Sequence, residues 1–293
     1  MAGCGDDGGD GGGMIGDPLP EAPRPGKRSD VSTVADPGTG TLVLFGGDDG
    51  AIIAQMPSPN YLGDTWVLDP TSGWTEVTSA GPPARGRYAV AHHPAGQMWM
   101  FGGRSGIGSA ALFADLWSFD FQSQTWSQLS DGTSGPASRW LSAAAYDAEG
   151  ERLIVYGGAR SAAPLEGLTD IWSFDGSTWS QLTATGTAPS PRAYVAYTHD
   201  TSRNRLIIYA GLESILASGF TDLYALDLGT MTWSLLHDGV GGPSARFWST
   251  KSYDAATERY LVFGCHVDPG VDNDGWSLDP TGKTSNRLSI GDT

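Results

Sequence analysis

Charged residues are scarce in this 293-residue chain, and basic residues are the scarcer kind. Only 17% of the residues are charged, and 33 Asp and Glu against 17 Lys and Arg give a formal net charge of −16. So acidic a chain repels nucleic-acid backbones and anionic lipid surfaces, which argues against general binding to either. The sequence also lacks an apolar run of the roughly 20 residues that would span a bilayer.

Cysteine is nearly absent, because Cys4 and Cys265 are the only two. Two cysteines so placed do not suggest a disulfide framework. Cys4 follows Met-Ala-Gly and precedes the run GDDGGDGGG, which resembles the lipobox and tether of a bacterial lipoprotein, with Met1 where leucine is usual. The resemblance implies a lipid on Cys4, a flexible tether over residues 1–26, and an extracytoplasmic location at the cell surface, in the periplasm or secreted. The alternative is an ordinary disordered N-terminus.

Glycine and tryptophan are abundant, with 42 and 11 copies, and they recur in a regular pattern. Five hydrophobic strings end in a glycine doublet or a degenerate version of it: LVLFGG, MWMFGG, LIVYGG, LIIYAG and YLVFGC. They end at residues 47, 103, 158, 211 and 265, so the intervals are 56, 55, 53 and 54 residues. A repeat of about 50 residues built from short strands is typical of a propeller blade.

Each repeat predicts four strands, most clearly in the third copy. Arg139 to Asp147 forms the first strand, Arg152 to Tyr156 the second, Thr169 to Asp175 the third, and Trp179 to Leu182 the fourth. The other third strands are also bounded by Asp, which suits turn positions where its side chain bonds nearby amides. The pattern predicts an all-β protein.

A glycine doublet after a hydrophobic strand, then an aromatic residue and a further Trp, resembles the Kelch repeat over residues 27–293. The resemblance implies a β-propeller of about five four-stranded blades. The predicted blades span residues 27–80, 81–132, 133–186, 187–239 and 240–293. Kelch propellers more often contain about six or seven blades, and the fifth copy lacks its fourth-strand Trp. Either five blades close the ring, or blades are missing from it.

One arginine per repeat precedes the doublet by 17 or 18 residues, so a propeller would gather these arginines around one end of its channel. The predicted ligand-binding residues are these arginines and their neighbours: Arg28, Arg85, Arg87, Arg139, Trp140, Arg192, Tyr194, Arg246 and Trp248. Guanidinium groups pair with carboxylates in bidentate fashion, which would suit an acidic peptide, a uronate or sialic acid. The alternative is structural: each arginine ties adjacent blades together by bonding backbone carbonyls. Arg87 breaks the recurrence and is harder to explain structurally.

A second candidate site is the acidic loop after the fifth string. His266, Asp268, Asp272 and Asp274 could hold a cation, although their spacing matches no metal motif and the pattern favours an acidic surface loop over a metal site. No G-x-S-x-G, H-E-x-x-H, P-loop or Rossmann pattern occurs, so we expect no catalytic residue and no cofactor.

These features favour a non-enzymatic binding module. It would present an Arg/aromatic channel mouth, and the loops over residues 50–63, 103–114 and 159–169, to a protein or glycan partner. The alternative is an envelope enzyme acting on an acidic sugar, similar to sialic-acid mutarotases, which would need a His or carboxylate lining the channel. No nucleic-acid partner is expected, and a membrane only through an anchor at Cys4.

Overall fold

The computed structural model describes residues 23–50, 52–53, 56–57, 59–106, 111–162, 165–213, 219–245, 250–267, 270–279 and 285–288. These residues form five four-stranded antiparallel blades in a β-propeller arrangement, so the predicted fold class is confirmed. Cys4 lies outside the described residues. No helix in the described part of the chain is long and apolar enough to cross a membrane.

Each blade is built from consecutive strands, with the first strand innermost. Blade 1 contains β1 (Thr33–Ala35), β2 (Leu42–Asp48), β5 (Tyr61–Asp69) and β6 (Gly73–Val77). Blade 2 contains β7 (Ala89–His93), β8 (Gln97–Phe101), β9 (Leu116–Asp120) and β10 (Thr125–Ser130). Blade 3 contains β11 (Ala143–Asp147), β12 (Arg152–Tyr156), β15 (Ile171–Phe174) and β16 (Trp179–Leu182).

Blade 4 contains β18 (Ala196–Asp200), β19 (Arg205–Tyr209), β20 (Leu223–Asp227) and β21 (Thr232–His237), with β17 (Thr185–Gly186) parallel to its outermost strand. Blade 5 contains β22 (Thr250–Asp254), β23 (Arg259–Val267), β24 (Gly270–Leu278) and β25 (Ser285–Leu288). The short hairpins β3 (Ile52–Ile53) with β4 (Met56–Pro57), and β13 (Ala159–Ala162) with β14 (Leu165–Gly167), lie in loops between second and third strands.

The first strand of blade 3 is shorter than predicted, because β11 begins at Ala143 and not at Arg139. Leu141 has a φ of 60°, a left-handed conformation that a strand does not adopt. Trp140 instead forms a single bridge to Ala159, next to the glycine doublet. The segment before each first strand is therefore a connection that crosses the end of the blade.

The hydrophobic core lies between blades and follows the alternation of side chains along each strand. In β12, Leu153 and Val155 pack towards blade 2, whereas Ile154 and Tyr156 pack towards blade 4. Four such clusters fill the interfaces between blades 1 and 2, 2 and 3, 3 and 4, and 4 and 5. Each blade is thus stabilised mainly by its neighbours, as in other repeat proteins.

The innermost strands of successive blades lie side by side around a central channel. Tyr197 of blade 4 reaches across it to blade 2, where its hydroxyl accepts from Val90 N at 2.9 Å and donates to Val90 O at 3.4 Å. It packs against the core cluster between blades 3 and 4, which includes the small side chains Ala143 and Ala145 of blade 3. The channel is therefore bridged by a side chain.

Antiparallel strands give the propeller two distinct faces. The loop face holds the connections between second and third strands and the segments before each first strand, which meet in bridges such as Ser29↔Asp48 and Ala193↔Leu212. The turn face holds the tight turns between first and second strands. The described parts of the three long predicted loops all belong to the loop face, as expected from their shared place in each blade.

Candidate functional site

Four of the five recurring arginines are described, and all four side chains are buried, with at most 6% exposed. Each is bonded by both terminal nitrogens to an Asp of its own blade, which lies directly before the third strand or, in blade 1, within it: Arg28 to Asp64, Arg85 to Asp115, Arg139 to Asp170, and Arg192 to Asp222. Arg246 and Trp248 lie outside the described residues.

The remaining N–H groups of these arginines bond to backbone carbonyls. In blade 2, Arg85 Nη1 donates to Gly102 O at 3.1 Å and Nε donates to Pro83 O at 3.0 Å. The guanidinium carbon also lies 3.6 Å from the ring centroid of Phe113. Since four of the five N–H groups are satisfied and the side chain is buried, Arg85 clips together three segments of one blade and offers little to a ligand.

The backbone of the same arginines connects adjacent blades. Gly47 N donates to Arg85 O at 2.9 Å, and Gly103 N donates to Arg139 O at 2.9 Å. A Cβ on Gly46, whose φ is 56°, would stand 2.4 Å from Arg85 O. The structure therefore favours the structural alternative in a modified form: the side chain braces its own blade, and the backbone carbonyl ties neighbouring blades. The glycine doublet is needed for that close approach.

Two of the carboxylates in these pairs, Asp64 and Asp170, have pKa values below the usual value. Burial raises the pKa of Asp64, but the hydrogen bonds from Arg28 and Trp66 outweigh burial and hold the pKa below its usual value. Trp66 Nε1 donates to Asp64 Oδ2 at 2.6 Å. The third-strand Asp and the Trp two residues later thus form part of the same brace, repeated in blades 2 and 3.

A different ring of residues faces the channel mouth, two positions after each arginine. The described members share positive φ angles of 57° to 61°, which are uncommon outside glycine: Asp30, Arg87, Leu141 and Tyr194. Their backbones are linked around the mouth, because Arg87 N donates to Asp30 O and Leu141 N donates to Arg87 O, both at 2.9 Å. Uncommon backbone conformations of this kind cluster at active sites and ligand clamps, so this ring is a candidate site.

Side chains from this ring and its neighbours form one contact network, which we call the mouth cluster: Asp30, Tyr61, Arg87, Arg104, Trp140 and Tyr194. Arg87 forms an ion pair with Asp30, and its guanidinium lies 5.0 Å from the Trp140 ring centroid and 5.8 Å from that of Tyr194. The predicted candidates Arg87, Trp140 and Tyr194 are therefore brought together.

Arg104 and Tyr61 complete the cluster and were not predicted. Arg104 follows the second doublet, its Nε donates to the Tyr61 hydroxyl at 2.5 Å, and its guanidinium lies 4.1 Å from the Trp140 ring centroid. Burial raises the pKa of Tyr61, although Arg104 and Arg87 oppose that shift. In the sequence, the residue directly after each doublet could have indicated Arg104, because this position differs from blade to blade: Asp48, Arg104, Ala159 and Leu212.

The mouth is charged on one side and apolar on the other. Blades 1 and 2 supply the charged members of the cluster. Blades 3 and 4 supply Trp140 and Tyr194, which pack with Leu212 and against the half-buried Leu141 and Leu165. Trp140 and Tyr194 are themselves buried, with exposed fractions of 2% and 8%, so a ligand at this mouth would meet the arginines and the half-buried leucines.

The turn face carries a separate set of histidines. His92 Nε2 lies 3.7 Å from Asp36 Oδ1, too far for a hydrogen bond, and His199 Nε2 is buried without a partner among the described residues. Burial lowers the pKa of both imidazoles, so both are neutral near pH 7. His93 stacks on Trp99 with ring centroids 4.7 Å apart. These side chains pack at blade interfaces.

The weak metal candidates are not brought together as a described site. Asp268 lies outside the described residues, and His266 and Asp272 are described only as parts of the hairpin formed by β23 and β24. Asp274 is buried and accepts a hydrogen bond from Trp276 Nε1, so it matches the third-strand Asp of the other blades. Within the described residues, no group of three His, Cys, Asp or Glu side chains could hold a metal ion.

Comparison with known proteins agrees with this architecture. The family model described as KLHDC2/KLHL20/DRC7 Kelch-repeats domain matches residues 16–193 and 175–293. The chain is 30% identical over 255 residues to "Acyl-CoA-binding domain-containing protein 5" of Arabidopsis thaliana, which covers 80% of this chain and 37% of that protein. It is also 30% identical over 127 residues to "Kelch domain-containing protein 10" of Rattus norvegicus, covering 43% and 30% of the two chains.

Another relative, "Acyl-CoA-binding domain-containing protein 4" of Arabidopsis thaliana, is 31% identical over 189 residues, or 59% of this chain and 27% of that protein. The matched segments thus span between a quarter and two fifths of the length of these relatives.

Proposed function

We propose that this chain, which belongs to the Kelch-repeat domain family, is a protein-interaction module that binds an acidic segment of its partner at the mouth cluster. Kelch propellers are typically protein-interaction modules. A rigid scaffold that places varied side chains at one mouth is the usual arrangement for recognition.

The observation that carries this proposal is the environment of Arg104. Its guanidinium is half-buried and stacked on Trp140, and no described carboxylate pairs with it. The chain as a whole has a formal net charge of −16, so an unneutralised cation at the channel mouth is a local exception. A carboxylate from a partner would supply the missing countercharge through a charge-assisted hydrogen bond.

The apolar side of the mouth narrows the partner further. The half-buried Leu141 and Leu165 pack against the buried Trp140 and Tyr194, beside the arginines. Arg side chains are among the residues that most often dominate binding energy at protein interfaces. We therefore expect a segment in which Asp or Glu alternates with aliphatic or aromatic residues. A free acidic sugar would engage the arginines but leave the leucines beyond them uncovered.

The test is a calorimetric titration with three kinds of probe. These are short peptides with Glu next to Leu, the same peptides with Gln for Glu, and the sugars glucuronate and sialic acid. We expect only the Glu peptides to bind. We expect Arg104→Gln to raise their Kd at least about tenfold, which is the loss that follows from removing one hydrogen bond between charged groups. The matched control is Arg203→Gln, which removes the same charge from the turn face, where Arg203 pairs with Glu258.

Three results would contradict the proposal. Equal weakening by Arg104→Gln and Arg203→Gln would mean that overall charge drives binding. Binding of the sugars in place of the peptides would assign the mouth to a glycan. Binding of no probe at all would move the site away from the mouth cluster.

The N-terminus supports a proposal about location. Cys4, followed by the Gly/Asp run, would carry a lipid that tethers the propeller outside the cytoplasm. Incorporation of a labelled fatty acid into the protein expressed from a bacterial export vector, and its loss in Cys4→Ser, is the expected result. Equal labelling of both would contradict the proposal.

A further inference from the structure

One aromatic position in the repeat behaves differently in blade 5 from its copies elsewhere. The residue before the doublet is buried in four blades, with exposed fractions of 0% for Phe45, 1% for Phe101, 2% for Tyr156 and 1% for Tyr209. Phe263 occupies the same position in β23 and is 51% exposed. The next residue, Gly264, has the left-handed φ of 60° seen at this place in the other blades. The backbone of blade 5 therefore follows the repeat at this position, and Phe263 lacks only the side-chain contacts that bury its counterparts.

In blades 1 to 3, the covering group is a ring of the following blade. The centroid of Phe45 lies 5.2 Å from that of Trp126, Phe101 lies 5.3 Å from Trp179, and Tyr156 lies 4.9 Å from Trp233. Each of these tryptophans is in the fourth strand of the next blade. Among the described residues, Phe263 makes no such ring contact.

The opposite face, on blade 1, is uncovered only in part, because Leu44 and Trp66 of that face are each 8% exposed. Leu42, Leu68 and Trp74 are only half-buried. Their counterparts in blade 2 are Met98, Phe119 and Trp126, with exposed fractions of 0%, 0% and 8% because blade 1 covers them. The first and last blades thus each present the type of apolar face that is covered at every other interface.

The two faces do not cover each other within the described residues. Apolar clusters fill the four interfaces between consecutive blades, but none joins blade 5 to blade 1. The innermost strands show the same difference. β18 and β22 lie side by side, whereas β22 and β1 have no comparable contact. We call the surface formed by Leu261, Phe263, Leu42, Leu68 and Trp74 the seam.

We propose that the seam binds one further Kelch-type blade. The occupant is a four-stranded antiparallel sheet that presents a fourth-strand Trp to Phe263 and an aromatic second-strand residue to Trp74. The interfaces between blades 1 and 2, 2 and 3, and 3 and 4 support this occupant, because each covers this pair of faces with those groups. A second copy of the chain is disfavoured, because two molecules that each carry a formal charge of −16 repel each other.

The test is to add such a blade and measure stability. The full chain is extended by a second copy of residues 133–186, which encodes blade 3 with its own Trp179. If the seam accepts this blade, the melting temperature rises by at least about 5 °C, as expected for burial of several apolar side chains. The matched control carries Trp179→Ala in the added copy only and should lose most of the rise. Phe263→Ser should abolish the rise but leave the unextended chain as stable as before.

Three outcomes would overturn the proposal. An added blade that folds without raising the melting temperature would mean that the seam does not accept it. If Phe263→Ser destabilises the unextended chain as strongly as Phe101→Ser, then blades 1 and 5 already cover each other. If sedimentation shows a dimer of the unextended chain that Phe263→Ser dissociates, a second copy is the occupant. None of these measurements depends on the ligand proposed for the mouth cluster.

Discussion

Replacing Arg139 by Ala should destabilise the propeller by about 3 kcal/mol. Arg139 is buried and bonds both oxygens of Asp170, together with Gly157 O at 3.0 Å and Ala137 O at 3.0 Å. Removing one partner of a buried ion pair costs about 3 to 5 kcal/mol. We expect the lower end of that range, because the Asp170 side chain keeps 22% exposure to water and its bond from Trp172. Urea unfolding followed by tryptophan fluorescence measures the change.

The pH dependence of this loss separates an ion pair from simple packing. Burial raises the pKa of Asp170, but the bonds and charge of Arg139 outweigh burial, so the folded pKa lies below its usual value. Such a group stabilises the fold above its unfolded pKa of about 3.9, and the contribution is lost as the pH falls through the folded pKa. Without Arg139 burial raises the pKa of Asp170, so the deficit of the variant should be largest near pH 7 and shrink below about pH 4.

The control for this prediction is Arg160→Ala, which removes an exposed arginine from the same blade and should change stability by less than about 0.5 kcal/mol. A deficit for Arg139→Ala below about 1 kcal/mol would refute the role of the pair as a brace. A large deficit that stays constant from pH 7 to pH 3 would attribute the loss to packing alone.

Three further predictions concern the doublet, the channel and the turn face. In urea unfolding, Gly46→Ala should lower the free energy of unfolding by at least about 2 kcal/mol, because its Cβ would meet a carbonyl oxygen at 2.4 Å. Gly73→Ala should lower it by only about 1 kcal/mol, because Gly73 has a φ of 84° but open space around it. Tyr197→Phe should cost about 1 kcal/mol, and a spectroscopic titration should lose one phenol, since burial raises the pKa of Tyr197 to about 12. Burial lowers the pKa of His199, so its contribution to stability is present above about pH 6.5 and is lost as the pH falls through the folded pKa. The free energy of unfolding of His199→Gln should therefore depend less on pH between about pH 7 and pH 5 than that of the unchanged chain.

The blade architecture could be predicted because its signals are local. The string LVLFGG and its copies each contain an unbroken apolar or aromatic run directly before the doublet, and Asp marks the start and end of each third strand. Each interface repeats the same strands, so one repeat is informative about all of them. The aromatic residue before the doublet and the fourth-strand Trp both recur in the sequence, and Phe45 packs against Trp126 across the interface between blades 1 and 2.

The candidate site could be predicted only in part. The recurrence of Arg139 and its copies was visible, but the partner of each, such as Asp170, is about 30 residues away and was assigned to a turn. Bringing the two together requires the order of strands within the blade. Arg104 was missed because a single arginine in a loop has no repeat to mark it, and its contact with Tyr61 joins two blades.

The sequence by itself determined the repeat, the four strands of each blade and the residue types that fill the space between blades, since these follow from side-chain alternation and chain-local turn chemistry. Only the tertiary structure decided which arginines are satisfied inside a blade and which stand at the mouth. It also decided that Phe263, identical in its local pattern to Phe101, is exposed. Burial and pairing depend on what lies across an interface, and that neighbour is distant along the chain.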